Sequence, residues 1–156
     1  MKVFQVQPGT RESCTKLLQE GEIISIAPGG IREALFSHNY ELMWNRREGF
    51  AKVALDSKAP IIPIFTKNSR QAINTLSYGH NILRSLYEKT RWPLAIYYGL
   101  FPVKLKTYIG KPILTEDSGM SPAQLSIKVH EAVELLISKH QGNSNSILMA
   151  LLERFL

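Results

Sequence analysis

The sequence predicts an α/β fold: a mostly parallel sheet flanked by helices. Two observations predict it. From Arg11 to Phe65, stretches of helical periodicity and short apolar runs alternate as helix, strand, helix, strand, the order that parallel α/β sheets produce. Within that order the run Ile23-Ile24-Ser25-Ile26-Ala27 stops on Pro28-Gly29-Gly30, and open α/β sheets place ligands where a strand runs into such a turn. The composition fits, with 156 residues, 44% hydrophobic and 21% charged: one globular domain's worth of chain, or part of a larger one.

The elements are read in order. Pro8-Gly9-Thr10 opens a helix over Arg11 to Gln19, with Cys14, Leu17 and Leu18 on one face, and Gly21 ends it. The Ile23–Ala27 strand and the glycine turn follow. Ser37 to Arg47 is polar and aromatic and reads as an irregular loop. Gly49 to Lys58 carries Phe50, Val53 and Ala54 at helical spacing. Ile61-Ile62-Pro63-Ile64-Phe65 is a buried strand, in which Pro63 removes a ladder donor and marks an edge or interruption. Arg70 to Leu76 and Asn81 to Lys89 read as helices, the second with a stripe of Ile82, Leu83, Leu86 and Tyr87. Trp92 to Pro102 is the most aromatic stretch. Packing over the core is preferred there to an exposed face that meets lipid, because large aromatics are usually buried. Lys104 to Ile109 alternates as a half-buried strand, with Val103, Leu105 and Thr107 facing one way. Ser121-Pro122-Ala123-Gln124 combines an N-cap serine, a first-position proline and a glutamine three residues after the cap, and starts a helix to about Lys139. Its inner face is Leu125, Val129, Val133, Leu136 and Ile137. A linker at 142–146 leads to a short, very apolar terminal helix from Ile147 to Leu156 that caps the core or seeks a partner or lipid surface.

The formal net charge is +6 and the isoelectric point about 9.5, which suits anionic partners such as phosphorylated cofactors or acidic lipid. The basic residues are scattered, so a nucleic-acid reading rests on net charge alone and comes last; no nucleic-acid partner is expected. Cys14 is the only cysteine, which excludes an internal disulfide and favours a reducing compartment. No apolar run approaches the roughly 18–20 residues that cross a bilayer. The G-x-S-x-G, G-x-x-x-x-G-K-[ST] and G-x-G-x-x-G patterns are absent, so hydrolase, nucleoside-triphosphatase and dinucleotide readings have no motif support. The four histidines lack a partner cysteine or an H-E-x-x-H arrangement, so no metal is expected.

The candidate site is the glycine turn. Gly29 and Gly30 let the backbone approach a ligand, and Arg32 and Glu33 bring a fixed cation and a carboxylate beside it. The plain alternative is an ordinary strand-turn with a surface ion pair. The stretch APGGIREALF, then NRREGFAKVALDSKAPIIPIF, resembles the glycerolipid acyltransferases, and within them the type-2 diacylglycerol and monoacylglycerol acyltransferase group. YGLFPVKLKTYIGKPI and LLERFL are similar to its transmembrane protein 68-like branch. The resemblance runs from about Pro8 to the end and is to the C-terminal portion of such enzymes.

The resemblance implies an incomplete glycerolipid acyltransferase domain over 1–140, with a linker and apolar helix over 141–156. It implies transfer of a fatty acyl group from acyl-CoA, a co-substrate and not a bound cofactor, to a lipid hydroxyl such as that of mono- or diacylglycerol. It places that reaction on the cytosolic face of the endoplasmic reticulum membrane, with the membrane surface as a partner and the C-terminal helix as a second contact. Gly29, Gly30 and Glu33, with Arg32 beside them, match the motif that holds the acyl acceptor, and Pro28 and Pro63 match its structural support. The turn lacks the glycine-threonine-arginine form used for a glycerol phosphate, so the acceptor is expected to be neutral. The family's catalytic unit is a His-x-x-x-x-Asp pair, the histidine acting as general base. Here the fifth residues after His38, His80, His130 and His140 are Met43, Ser85, Leu135 and Asn145. No residue of this sequence is therefore assigned as catalytic, and a non-catalytic lipid- or partner-binding remnant is the alternative. An incomplete domain also predicts exposed apolar surface.

Overall fold

The computed structural model describes residues 9–44, 47–75, 80–93, 96–116, 119–141 and 146–155. Helix α1 (Arg11–Gln19) starts where the Thr10 hydroxyl accepts a hydrogen bond from Ser13 N. Helix α2 (Gly30–Phe36) leaves the glycine turn, and α3 (Gly49–Ser57) follows the loop after it. Strand β1 (Ile64–Lys67), the single helical turn α4 (Ser69–Ala72) and β2 (Ile73–Thr75) come next, then α5 (His80–Thr90). Two short strands, β3 (Tyr97–Gly99) and β4 (Lys106–Ile109), precede the long α6 (Pro122–His140) and the short α7 (Ile147–Leu152). The start of α6 is the capping box that its residues predict: Ser121 Oγ accepts from Gln124 N at 3.3 Å and Gln124 Oε1 accepts from Ser121 N at 2.8 Å.

Helices and strands are mixed, but the strands pair antiparallel, in two small sheets. β1 lies against β4, from Ile64 opposite Ile109 to Lys67 opposite Lys106. β2 lies against β3, from Ile73 opposite Gly99 to Thr75 opposite Tyr97. An isolated bridge joins Ile61 to Ile113. No parallel pair occurs among the described residues.

Several expectations therefore change. The run Ile23–Ala27 has no regular secondary structure, and Ile23 is 97% exposed. Apolar residues make a strand only where a neighbouring backbone pairs their N–H and C=O groups, and none does so among the described residues. The strand expected over 61–65 begins at Ile64, because Pro63 has no N–H to give; its carbonyl instead accepts from Gly110 N at 2.8 Å. The helix expected from Arg70 lasts only to Ala72, since the β-branched Ile73 and Thr75 flank Asn74 in β2. Trp92, Ile96, Tyr97, Tyr98 and Leu100 are exposed, not packed over the core. Along β4 it is Tyr108 that is half-buried, whereas Leu105 and Thr107 are exposed. The linker residues 142–145 lie outside the described residues, as do Arg46 and Leu156.

Two apolar clusters hold the fold. Trp44, Ala51, Ala54, Ile113, Leu125 and Val129 join α3 to α6, and the Trp44 ring meets Phe50 edge-on at 5.2 Å. Leu35, Phe36 and Tyr87 join α2 to α5, with Met43 and Leu83 packed beside them. α1 packs on α3, where Arg11 Nη2 meets Asp56 Oδ2 at 2.6 Å.

Candidate functional site

The glycine turn is a tightly braced piece of backbone. Gly30 has φ +58°, in the left-handed region, and its N–H donates to Ala27 O at 3.0 Å. One residue earlier, a Cβ on Gly29 would collide with the Cβ, Cδ and Oε2 of Glu33. The Glu33 side chain thus folds back over the turn from the first turn of α2. Its Oε2 accepts a 2.7 Å hydrogen bond from Met43 N, so the carboxylate pins the loop after α2 to the turn before it. Arg47 braces the other side. Its Nη1 donates to Pro28 O at 2.9 Å and to Gly29 O at 3.0 Å. Arg47 is itself placed by the core: its N–H donates to Trp44 O at 2.8 Å, and its carbonyl accepts from Ser126 Oγ of α6 at 3.4 Å.

The far end of α2 is capped by residues of α4 and β2. Arg70 Nη2 donates to Glu33 O at 2.9 Å, and Thr75 Oγ1 donates to Leu35 O at 2.9 Å. A cation at this end also complements the helix dipole. Tyr40, at φ +65°, seats this brace: its hydroxyl donates to Gln71 Oε1 at 2.7 Å and accepts from Arg70 N at 3.1 Å. Burial pushes the Tyr40 phenol above its ordinary value, against the lowering pull of the Arg70 backbone and the Ser69 side chain. Burial pulls the Arg70 guanidinium below its ordinary value, opposed by Tyr40 and Glu33.

The structure brings Pro28, Gly29, Gly30 and Glu33 together and separates Arg32 from them. Arg32 turns to α5, with Nη2 3.2 Å from Glu88 Oε1, while its buried Nε has no hydrogen-bond partner among the described residues. Arg32 and Glu33 thus have different partners, one on α5 and one in the loop after α2. Pro63 is buried beside Gly110, which sits between it and Leu136. In the sequence, Arg47 and Arg70 read as scattered surface charges. Arg47 had a signal, since it opens the RxGFAxxA pattern at Arg47-Glu48-Gly49-Phe50-Ala51. Arg70 had none. Around the turn, Ile23, Ile26 and Ile31 are exposed, so the braced backbone is fringed by aliphatic side chains. No helix among the described residues is long and apolar enough to cross a membrane.

Three comparisons with known proteins bear on this geometry. The family model described as diacylglycerol acyltransferase matches residues 4–135, which include the whole turn and its braces. The chain is 48% identical over 156 residues to a Bos taurus protein named "DGAT1/2-independent enzyme synthesizing storage lipids", covering 99% of this chain and 46% of that protein. The Homo sapiens protein of the same name is 47% identical, covering 99% of this chain and 48% of its own length. Similarity extends at 26% identity over 136 residues to "Diacylglycerol O-acyltransferase 1" of Eremothecium gossypii, covering 85% of this chain and 28% of that protein. This chain thus spans about half the length of the first three curated relatives compared, those of cattle, chicken and man. No solved structure matches it. With the glycine turn, its carboxylate and its arginine all inside the matched region, the chain belongs to the diacylglycerol acyltransferase family.

Proposed function

We propose that this chain forms the acceptor side of an acyltransferase that moves a fatty acyl group from acyl-CoA to the hydroxyl of a neutral acylglycerol, at a membrane face. The carrying observation is the braced glycine turn inside the family match: Glu33 and Arg47 fix its backbone, and Ile26 and Ile31 fringe it with apolar surface. A preorganised backbone lowers the ordering cost of binding, and an aliphatic fringe suits a substrate that is mostly hydrocarbon. The net charge of +6 supports a donor that carries phosphates.

In this reading Glu33 is a positioning residue, whose Oε2 accepts from Met43 N and so fixes the turn. The chemistry needs a base to take the proton of the acceptor hydroxyl. The oxygen then attacks the thioester carbonyl, and the CoA thiolate leaves. No histidine in this sequence has an acidic residue five positions on, so the base comes from elsewhere in the whole protein. A catalytically silent lipid-binding remnant is the second reading, favoured by that same missing pair.

The test is acyl transfer from labelled acyl-CoA on membranes of cells making either this chain or a fusion that adds the unmatched half of the bovine relative. Mono- and diacylglycerol are the acceptors, with glycerol 3-phosphate as the comparison. Transfer to the neutral acceptors by the fusion alone is expected. Transfer by the short chain alone would overturn the assignment of the base, and a preference for glycerol 3-phosphate would overturn the acceptor class.

A further inference from the structure

We infer that the surface formed by residues 96–106 and the outer stripe of α7 seats this chain on an anionic lipid bilayer. The inference takes its purpose from the lipid-acyltransferase reading, and its geometry stands apart from the glycine turn. α7 is a helix turned inside out. Ala150 is buried against the fold, while Leu148, Met149 and Leu152 of α7, and Phe155 in the turn just beyond it, are exposed, Phe155 to 84%. A helix that faced only water would carry charges on that stripe.

A second apolar segment lies along its edge. Arg154 Nη1 donates to Pro102 O at 3.0 Å, and Asn68 Nδ2 donates both to Lys104 O at 3.0 Å and to Glu153 Oε2 at 3.1 Å. This seam sets α7 beside Leu100, Phe101 and Leu105, all exposed, Leu100 to 85%. The exposed apolar side chains thus lie on two segments joined at this seam, and exposed apolar surface that is grouped in this way marks an interaction surface.

The charges select the occupant. From Arg91 to Thr115 the sequence holds Arg91, Lys104, Lys106 and Lys111 and not one aspartate or glutamate. The acid at the seam, Glu153, is neutralised by Lys67 Nζ at 2.7 Å. Lys104 is exposed between the exposed Leu100 and Leu105, and Lys106 follows. Long basic side chains beside leucine and aromatic rings match the headgroup boundary of an anionic membrane, where the stems lie along apolar surface and the ammonium groups reach phosphates. A packed protein interface is instead depleted of lysine.

Flotation of the purified chain with vesicles tests this. One set is phosphatidylcholine alone and the other contains about one third phosphatidylserine. The wild type is expected to float with the anionic vesicles and to be released by salt. Lys104→Ala with Lys106→Ala is expected to weaken binding by roughly fivefold per lysine. Leu100→Glu with Phe155→Glu is expected to abolish it, with the melting profile unchanged because both sites are exposed. Leu135→Glu, on the exposed side of α6, is expected to float as the wild type does. Equal flotation of the double glutamate variant and the wild type would overturn the inference, as would failure of the wild type to float. A sizing column that shows a dimer lost in the double glutamate variant would also overturn it and assign the face to a second copy. Acyl transfer by the fusion with no flotation would strike this inference alone. Flotation with no acyl transfer by the fusion would strike the acyltransferase reading and leave this one standing.

Discussion

The Glu33 side chain occupies the space that a Cβ on Gly29 would need, so the conformation of one residue forbids a side chain on the other. Gly29→Ala is expected to push the carboxylate off Met43 N and to cost about 2 kcal/mol, the value of a hydrogen bond to a charged group. Glu33→Ala is expected to cost about the same. If the two act through one contact, the double variant loses little more than either single one. Urea unfolding of the four proteins of the cycle measures this, and additive losses would mean that the two residues act independently.

Arg70 and Thr75 hold the C-terminal carbonyls of α2. Arg70→Ala is expected to lower stability by about 1–3 kcal/mol through the lost charge-assisted bond to Glu33 O. Arg70→Lys restores little of it, since a point charge replaces a planar fork. Hydrogen exchange of the α2 amides is the readout. They are expected to lose protection in Arg70→Ala before those of α6 do.

Lys58 ends α3 in the left-handed conformation, φ +55°, with its own N–H on Leu55 O and Ala59 N on Ala54 O at 3.1 Å. A glycine at this position avoids the steric cost that a Cβ brings. Lys58→Gly is therefore expected to raise stability by roughly 0.5–1 kcal/mol. Thermal or urea unfolding shows it, and a loss of stability would mean that the lysine side chain makes a contact worth more than the strain.

The Lys67 ammonium, hydrogen-bonded to Glu153, holds that carboxyl below its ordinary value, with Asn68 and the charge of Lys106 adding to the effect. A depressed folded-state value gives a contribution that is fully present above the ordinary carboxylate range. It is lost as pH falls through that range and the folded-state value beneath it. The contribution is modest, because the pair is partly solvated. Acidification is therefore expected to loosen α7 from the seam at Asn68 before the rest of the fold opens. Limited proteolysis of α7 across that pH range is expected to show this in the wild type and to lose its pH dependence in Glu153→Gln.

What was legible in the sequence is what local chemistry decides. The Ser121–Gln124 box starts α6 through bonds that span three residues, and α1, α3 and α5 follow from helical spacing and breakers. What was not legible depends on distant partners. Arg47 reaches carbonyls 18 and 19 positions earlier, and Arg70 reaches one 37 positions earlier, so neither can be told from a surface cation by its neighbours in the chain. The Ile23–Ala27 run has strand composition without a ladder partner among the described residues, and composition cannot supply the second backbone of a ladder. The aromatic stretch from Trp92 breaks the burial rule for large rings, which is where a surface with a function of its own is expected.

The claim that the braced glycine turn holds the acyl acceptor is tested most directly by photolabelling. A monoacylglycerol bearing a diazirine near its glycerol end is irradiated with the chain in mixed micelles, and the labelled peptides are identified by mass. Labelling is expected between Ala27 and Arg47, suppressed by excess monoacylglycerol but not by glycerol 3-phosphate, and lost in Gly29→Ala. Labelling confined to other segments, or suppression by glycerol 3-phosphate alone, would contradict it.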